Sequence, residues 1–484
     1  MPEAPRPRVF TIPPHRPFAN ALAAGLLRQH RDPMALARGI VLLPNSRAKT
    51  ALTDAFVRRA EGGLLLPRLV IIGDPELDEA LGSALDPIGA AEPIPPAIDA
   101  MERRMRLANL VQQVRMMRDE PIEAAEAVRL AGELGRMLDQ LQVEEVAAHD
   151  VLSAVDPNLS EHWKSSLAEL EIVLSKWPEE LARIDKIDLT HRRNLLLRRI
   201  AGRWAEAPSP GFVVAAGITS TAPAIAAVQR TVAFMADGMV VLPALDLAMD
   251  EDEWEALGPF ERDPETGFRP RSIETHPQFQ FKLLLDRMGV ARGEVAVWRH
   301  GGGRDAPAAR SRAIGHAMAP AEFTDRWDKL SKRARRVTGV RGLVLAQPAE
   351  EAQTIALAIR EAIESEGRTA ALVTPDRGLA RRVAAHLKRW GIDADDSAGR
   401  PLAELPAGTL LLAIAEAAAA RFAPVQLLAL LKHPLVRMGE DRLKWLDEAR
   451  ALDMALRGPR PGAGLAGVGA HLRGLIETAW SDGR

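Results

Sequence analysis

The chain of 484 residues contains no cysteine and no tyrosine. Without a thiol it forms no disulfide, no thiolate zinc site and no cysteine-held iron–sulfur cluster. The missing tyrosine, with plentiful alanine and more arginine than lysine, reads as the coding bias of a GC-rich genome and carries no mechanism. Neither sign of charge is in excess: 63 Lys and Arg face 65 Asp and Glu, a net charge of −2. No global field therefore draws the chain toward nucleic acid, and any such contact must come from local patches. Long apolar runs are also missing. The most apolar stretch, Leu410 to Leu431, is interrupted by Glu416 and Arg421 and reads as core helices rather than a membrane span. The basic start "MPEAPRPR" leads into no apolar segment of a secretory signal, so a cytoplasmic location without a membrane partner is expected. The 11 histidines show no His-Glu-x-x-His or similar ligand spacing. No carboxylate pair with a lysine marks a nuclease-like strand pair. Neither a metal nor a cofactor is expected.

What is present is an alternation of strand, turn and helix. "VFTIPPHRPFANALAAGLL" (Val9 to Leu27) reads as a strand, a turn and an amphipathic helix, and "GIVLLPNSRAKTALTDAFVRRA" (Gly39 to Ala60) repeats the plan. "LLLPRLVIIGD" (Leu64 to Asp74) supplies a further buried strand. This is an α/β class with a parallel sheet of the nucleotide-binding type. A phosphate loop at the first turn would need glycines to wrap backbone N–H groups around phosphates, followed by Lys and Ser or Thr. Pro13, Pro14, His15, Arg16 and Pro17 stand there instead, and three prolines remove three N–H donors.

From about Leu85 to Trp204 the pattern turns helical, in Ala97 to Asp119, Ala124 to Val146, Leu159 to Ile184 and Thr190 to Ala207, each with apolar residues three and four apart. "PSPG" (Pro208 to Gly211) breaks this run, and apolar strands return in "FVVAAGI" and "GMVVLPALD". Residues 247–335 are poorly periodic and read mainly as loops around a short helix in "THPQFQFKLLLDRMGV" (Thr275 to Val290). A second α/β unit then begins, with "GVRGLVLAQ" and "TAALVTP" as strands before helices.

In order, "TIPPHRPFANALAAGLL", "IVLLPNSRAKTAL", "RLVIIGD", "FVVAAGITSTAPAIAAVQRTVAFMADGMVVLPALD" and "LLKHPLVRMG" resemble the AddB subunit of bacterial AddAB helicase–nucleases, in the form seen in alphaproteobacteria. The resemblance covers Val9 to about Leu475. It implies a superfamily-1 helicase-like body with a degenerate phosphate loop. The implied layout is a first core domain in 1–84 and 205–250 with a helical insertion in 85–204, an irregular connection in 251–335, a second core domain in 336–420 and the start of a helical subdomain in 421–484. It implies an AddA-type helicase–nuclease partner and DNA, as a duplex end or single strand, in double-strand break repair. The chain stops where a nuclease half with its iron–sulfur cluster would begin, and "ETAWSDGR" ends without a helix stop, so a truncation and no catalytic activity in this chain alone are expected. The register also places Arg381 where an active relative aims an arginine at the γ-phosphate; by spacing alone it is a solvated helix residue.

Several motifs invite chemistry. "GAGLAG" (Gly462, Gly464, Gly467) matches a dinucleotide fingerprint but follows a helix where a strand is required. "GGGR" (Gly301 to Arg304) follows no strand and reads as a flexible loop. Asp246 ends an apolar strand as a Mg²⁺-holding acid would, but Leu247 follows it instead of the Glu that orients water, and Asp250 to Glu253 come too late; a surface or capping carboxylate is the plainer reading. His433, before Pro434, reads as part of a helix-ending turn. Basic residues gather in Arg103, Arg104, Arg106, Arg115 and Arg118, in Arg192, Arg193, Arg198 and Arg199, and in Lys329, Lys332, Arg333, Arg335, Arg336 and Arg341. The third group has the least acidic compensation, has Trp327 nearby, and is the expected DNA contact. His15, Arg16, Asn45 and Arg47 sit at turns after strands, where a degenerate ligand site or DNA would lie. Two other functions fit less well: an active ATP-dependent helicase with an unconventional phosphate loop, and a nucleotide-binding metabolic enzyme using the "GAGLAG" turn.

Overall fold

The computed structural model describes residues 6–60, 62–73, 93–147, 150, 174–299 and 305–481. They form two compact units, Met1–Gly342 and Leu343–Arg484.

The first unit is built on six parallel strands, β1 (Val9–Ile12), β2 (Ile40–Leu43), β3 (Arg68–Ile71), β4 (Val213–Ala216), β5 (Gly238–Pro243) and β6 (Ala296–Val297), in the order β3-β2-β4-β5-β1-β6. The central strands are apolar at consecutive positions because both sheet faces are covered. In β5, Met239 and Val241 pack on one side while Val240 and Leu242 pack on the other. One face receives α1 (Phe18–Gln29), α2 (Pro33–Ala37) and α3 (Ser46–Arg59) through Leu22, Leu26, Leu36, Leu52 and Phe56. The other receives α6 (Leu189–Glu206), α7 (Pro223–Phe234) and α9 (Phe279–Met288) through Leu197, Trp204, Val228, Val232, Leu284 and Met288. The chain thus winds outward from β1 to β3 under one helix layer and returns from β4 to β6 under the other. This is a doubly wound sheet, with its ligand crevice expected beyond the carboxyl ends of the strands where direction reverses.

Between β3 and β4 lie α4 (Ala100–Met117), α5 (Ala124–Val143) and a helix over 174–183. Ile98 N–H donates to Ile187 O and Ile187 N–H to Pro96 O, pinching the insertion at its neck. The expected helices thus form where described, with the 159–173 and 74–92 stretches lying outside the described residues. One expectation is corrected: α6 carries Leu197, Ile200, Ala201 and Trp204 into the sheet core, so it belongs to the α/β body as much as to the insertion. A buried knot ties the helices together. Asp188, 1 % exposed, lies 2.7 Å from Arg103 Nε and accepts from Gln142 Nε2 at 2.6 Å and Trp177 Nε1 at 3.0 Å.

The stretch 247–335 is also more ordered than its periodicity implies. It contributes α8 (Glu251–Ala256), α9, β6 and α10 (Ala308–Ala317). A strand of two residues leaves no period-2 pattern to read.

The second unit holds α11 (Pro348–Ile363), α12 (Arg377–Arg389), α13 (Pro406–Ala419), α14 (Pro424–Leu431), α15 (Arg442–Ala455) and α16 (Gly464–Ser481). The two expected strands differ from the structure: residues 343–345 and 371–373 join no ladder among the described residues, and Val344 and Val373 are 101 % and 95 % exposed. Their β-branched content gives strand propensity, but a strand also requires a paired neighbour. The apolar run from Leu410 to Leu431 is two helices separated by a turn with left-handed Arg421 and Phe422. Among the described residues no helix is long and apolar enough to cross a membrane.

Candidate functional site

The crevice beyond β1 is closed by its own sequence. After Ile12 the chain turns at once, with Arg16 N–H donating to Pro13 O at 3.0 Å. The prolines at 13, 14 and 17 offer no N–H, so no cradle for phosphate forms. The turn is fastened from outside. Ala306 N–H donates to His15 O at 2.8 Å, and Arg16 donates to Trp298 O at 3.0 Å while lying 3.3 Å from the Asp305 carboxylate. Burial lowers the pKa of His15, helped by the guanidinium groups of Arg16 and Arg312 and opposed by Asp305.

The end of β5 is equally occupied. Ala244, in the left-handed region, donates its N–H to Ile12 O. The Gln278 side chain then grips the loop from both sides: its Nε2 donates to Ala244 O at 3.1 Å and its Oε1 accepts from Asp246 N–H at 2.9 Å. Thr11, 1 % exposed, accepts from Leu245 N–H at 3.1 Å. Asp246 accepts from Ala248 N–H at 2.8 Å, which closes the turn after β5. Asp250, Asp252 and Glu253 all pair with Arg326, which also stacks on Phe323 at 4.6 Å. Among the described residues no group of three His, Asp or Glu could hold a metal ion. At the end of β2, Asn45 caps α3 by accepting from Ala48 N–H at 3.0 Å. Arg47 follows it at the start of α3.

The remaining motifs fall to structural roles. Gly464 opens α16 after a helix and a turn, with its N–H on Arg421 O, and no strand precedes it. His433 lies just beyond α14, accepting from Leu435 N–H and lying 2.9 Å from Thr409 Oγ1. Gly301 to Arg304 lie outside the described residues. Arg381, in the second unit, is a surface residue of α12 paired with Glu404 at 3.1 Å.

The three basic groups differ sharply. In the first, Arg103 pairs with Asp139 and Asp188, Arg106 with Glu102 and Glu180, and Arg115 with Glu120, while Arg104 is exposed. In the second, Arg198 pairs with Glu145, and Arg193 is half-buried, its pKa pulled down by desolvation against the pull of Asp139. Most of these side chains hold the insertion together. In the third group Lys329 is 3.7 Å from Asp325, and Lys332, Arg333, Arg335, Arg336 and Arg341 are exposed without an ion pair among the described residues. Trp327 beside them is 41 % exposed and anchored by Nε1 to His316 O at 2.7 Å. Exposed cations next to an anchored aromatic ring suit phosphates and a stacked base.

One cationic feature escaped the sequence. Clefts of ≈ 500 and ≈ 330 Å³ flank the edge strand β6, both lined by Ala296 to Arg299, with Arg16 in one and Arg28 in the other. No motif announced it, because a two-residue strand brings these residues together. No protein-family model and no curated protein matches the chain.

Proposed function

We propose that this chain is the helicase-like, non-catalytic part of an AddB-type subunit. It guides a DNA strand within a helicase–nuclease that processes double-strand breaks for recombinational repair, with an AddA-type subunit supplying ATP hydrolysis. The observation that carries this reading is the sealed turn after β1. The sheet is doubly wound in the nucleotide-binding manner, yet the turn where phosphates would sit is filled by prolines and fastened by Arg16. A scaffold of this kind without a phosphate grip fits a body kept for shape and contacts. The insertion between β3 and β4 and the motif order of the opening strands support the same family. Against an active helicase stand the engagement of Asp246 in the turn after β5 and of Arg381 by Glu404. Against a dinucleotide enzyme stands the helical context of Gly462 to Gly467.

DNA contact is assigned to Lys329, Lys332, Arg333, Arg335, Arg336 and Arg341. With a net charge of −2 the affinity is modest and local. If about four of these cations touch single-strand phosphates, log affinity falls against log salt with a slope of roughly −3. Anisotropy of a labelled single-stranded oligonucleotide across a salt series tests this. Replacing Arg333, Arg335 and Arg336 by Ala flattens the slope by about two units. The fold survives, because exposed substitutions cost under ~0.5 kcal/mol each. An unchanged slope in the triple variant removes the segment from the DNA path.

A further inference from the structure

Among the described residues, the outer strand of the sheet carries an unpaired backbone edge. β6 has β1 on one side and no strand on the other among the described residues. Phe10 is in register with Ala296 and Thr11 with Val297, and Trp298 N–H donates to Thr11 O at 2.9 Å. In a parallel ladder alternate residues turn their backbone groups to the same neighbour. Ala296 and Trp298 therefore face β1, and the N–H and C=O of Val297 face outward. Edges of this kind template another strand unless short length, a charge, a proline, a bulge or a covering element blunts them; β6 has two residues, and what it leaves open is the N–H and C=O of Val297. Neither proline nor lysine occurs from Val295 to Arg299, and Val297 is 45 % exposed.

The edge lies in a groove made by the two clefts, which share Ala296 to Arg299 as a common wall. Its wall is rigid. Trp298 is 2 % exposed, donates Nε1 to Ala21 O at 2.9 Å and meets Phe10 edge-on at 5.4 Å. Its ring packs so tightly on α1 that a Cβ at Gly25 would lie 2.3 Å from it. Cations hold the end of the strand. Arg16 donates to Trp298 O and Arg28 to Arg299 O. Arg299 is exposed and makes no ion pair among the described residues. Asp305 offsets part of the Arg16 charge at 3.3 Å.

We infer that this groove binds an extended acidic peptide segment, added to β6 as a seventh strand. The outward groups of Val297 supply main-chain hydrogen bonds, the two clefts take alternate side chains, and Arg28 and Arg299 meet carboxylates. Nucleic acid would satisfy the arginines but has no amide register to match Val297, so the peptide fits both features. The site shares no residue with the 329–341 segment and does not depend on the DNA-guiding role.

A fluorescent peptide of alternating Glu and Val, titrated with the full chain, tests this directly. Saturable binding is expected, weakened about tenfold or more when alternate peptide amides are N-methylated, which removes strand pairing without touching the protein. Arg299→Glu, an exposed change that breaks no ion pair, is expected to weaken the acidic peptide by about tenfold and to favour a Lys-Val counterpart. Binding that ignores N-methylation or Arg299→Glu overturns the proposal. So does an absence of saturable binding, or displacement of the acidic peptide by oligothymidylate at equal concentration.

Discussion

In the first unit the apolar runs Ile40–Leu43, Val213–Ala216 and Gly238–Pro243 become paired strands whose side chains are buried by helices on both faces. In the second unit the runs 343–345 and 371–373 have helices but no ladder among the described residues. Its buried apolar side chains among the described residues are few, Ala352, Ala356, Leu379, Val383 and Leu387 in one cluster, Leu427, Leu456 and Val468 in another, and Ala417 and Ala449 besides. Leu411, Leu412, Val425, Leu443, Ile476 and Trp480 stand exposed. Helix amphipathicity and strand propensity are local properties, shared by both units. Pairing is not local, and where it is missing the same local signals yield a thin core and bare apolar surface.

The largest expected effect of this difference is in hydrogen exchange. Amides of β4, β5 and α7 are expected to exchange only through global opening, while residues 343–345 and 371–373 exchange about a thousandfold faster or more. Equal protection in both units would erase the comparison. Next come two tryptophans. Trp298→Ala removes a ring that is 2 % exposed and is expected to cost about 4 kcal/mol in denaturant unfolding. Trp390→Ala, at a half-buried ring under Arg360 in the second unit, is expected to cost about 1–2 kcal/mol. Costs in the reverse order would show the second unit to be the better packed.

Ion pairs sharpen the contrast on a smaller scale. Asp188→Ala leaves Arg103 without its buried partner and is expected to destabilise the first unit by about 3 kcal/mol. Glu404→Ala removes the exposed partner of Arg381 and is expected to cost under ~1 kcal/mol.

The smallest expected effect is a pH dependence in the first unit. His15, His30 and His276 all titrate below ordinary histidine, with burial the first cause in each. His276 lies 3.0 Å from Met318 O at Nε2, which must carry the proton, and its Nδ1 accepts from Gln278 N–H. Protonating Nδ1 removes that acceptor beside the Gln278 clamp. Because the folded pKa values are depressed, this stability is complete above the ordinary value near 6.5 and is lost as pH falls below it toward the folded values. Denaturant midpoints are expected to fall from about pH 8 to about pH 5, and to fall less in His276→Gln. A profile identical to wild type would remove His276 from the account.

How much of this was legible in the sequence follows the same divide between local and non-local. The central strands were plain because both faces are apolar, and the closed turn was plain because proline cannot donate. β6 was hidden by its length, and with it the cationic groove at Arg16, Arg28 and Arg299. The sequence showed the arginines of α4 and α6 gathered but not what they engage, because their partners Asp139, Asp188, Glu180 and Glu145 come from other segments. Among the described residues the 329–341 segment kept the exposure its composition implied, since of the two acids just before it, Asp325 and Asp328, Asp325 alone pairs with it, at Lys329.

With prolines at 13, 14 and 17 in the turn after β1, this doubly wound sheet is expected to offer no grip for phosphate. Titrating a fluorescent ATP analogue with Mg²⁺ into the chain tests it most directly. No saturable binding is expected up to about 1 mM, an affinity below about 4 kcal/mol. Saturable micromolar binding that disappears in Arg16→Ala would contradict the claim.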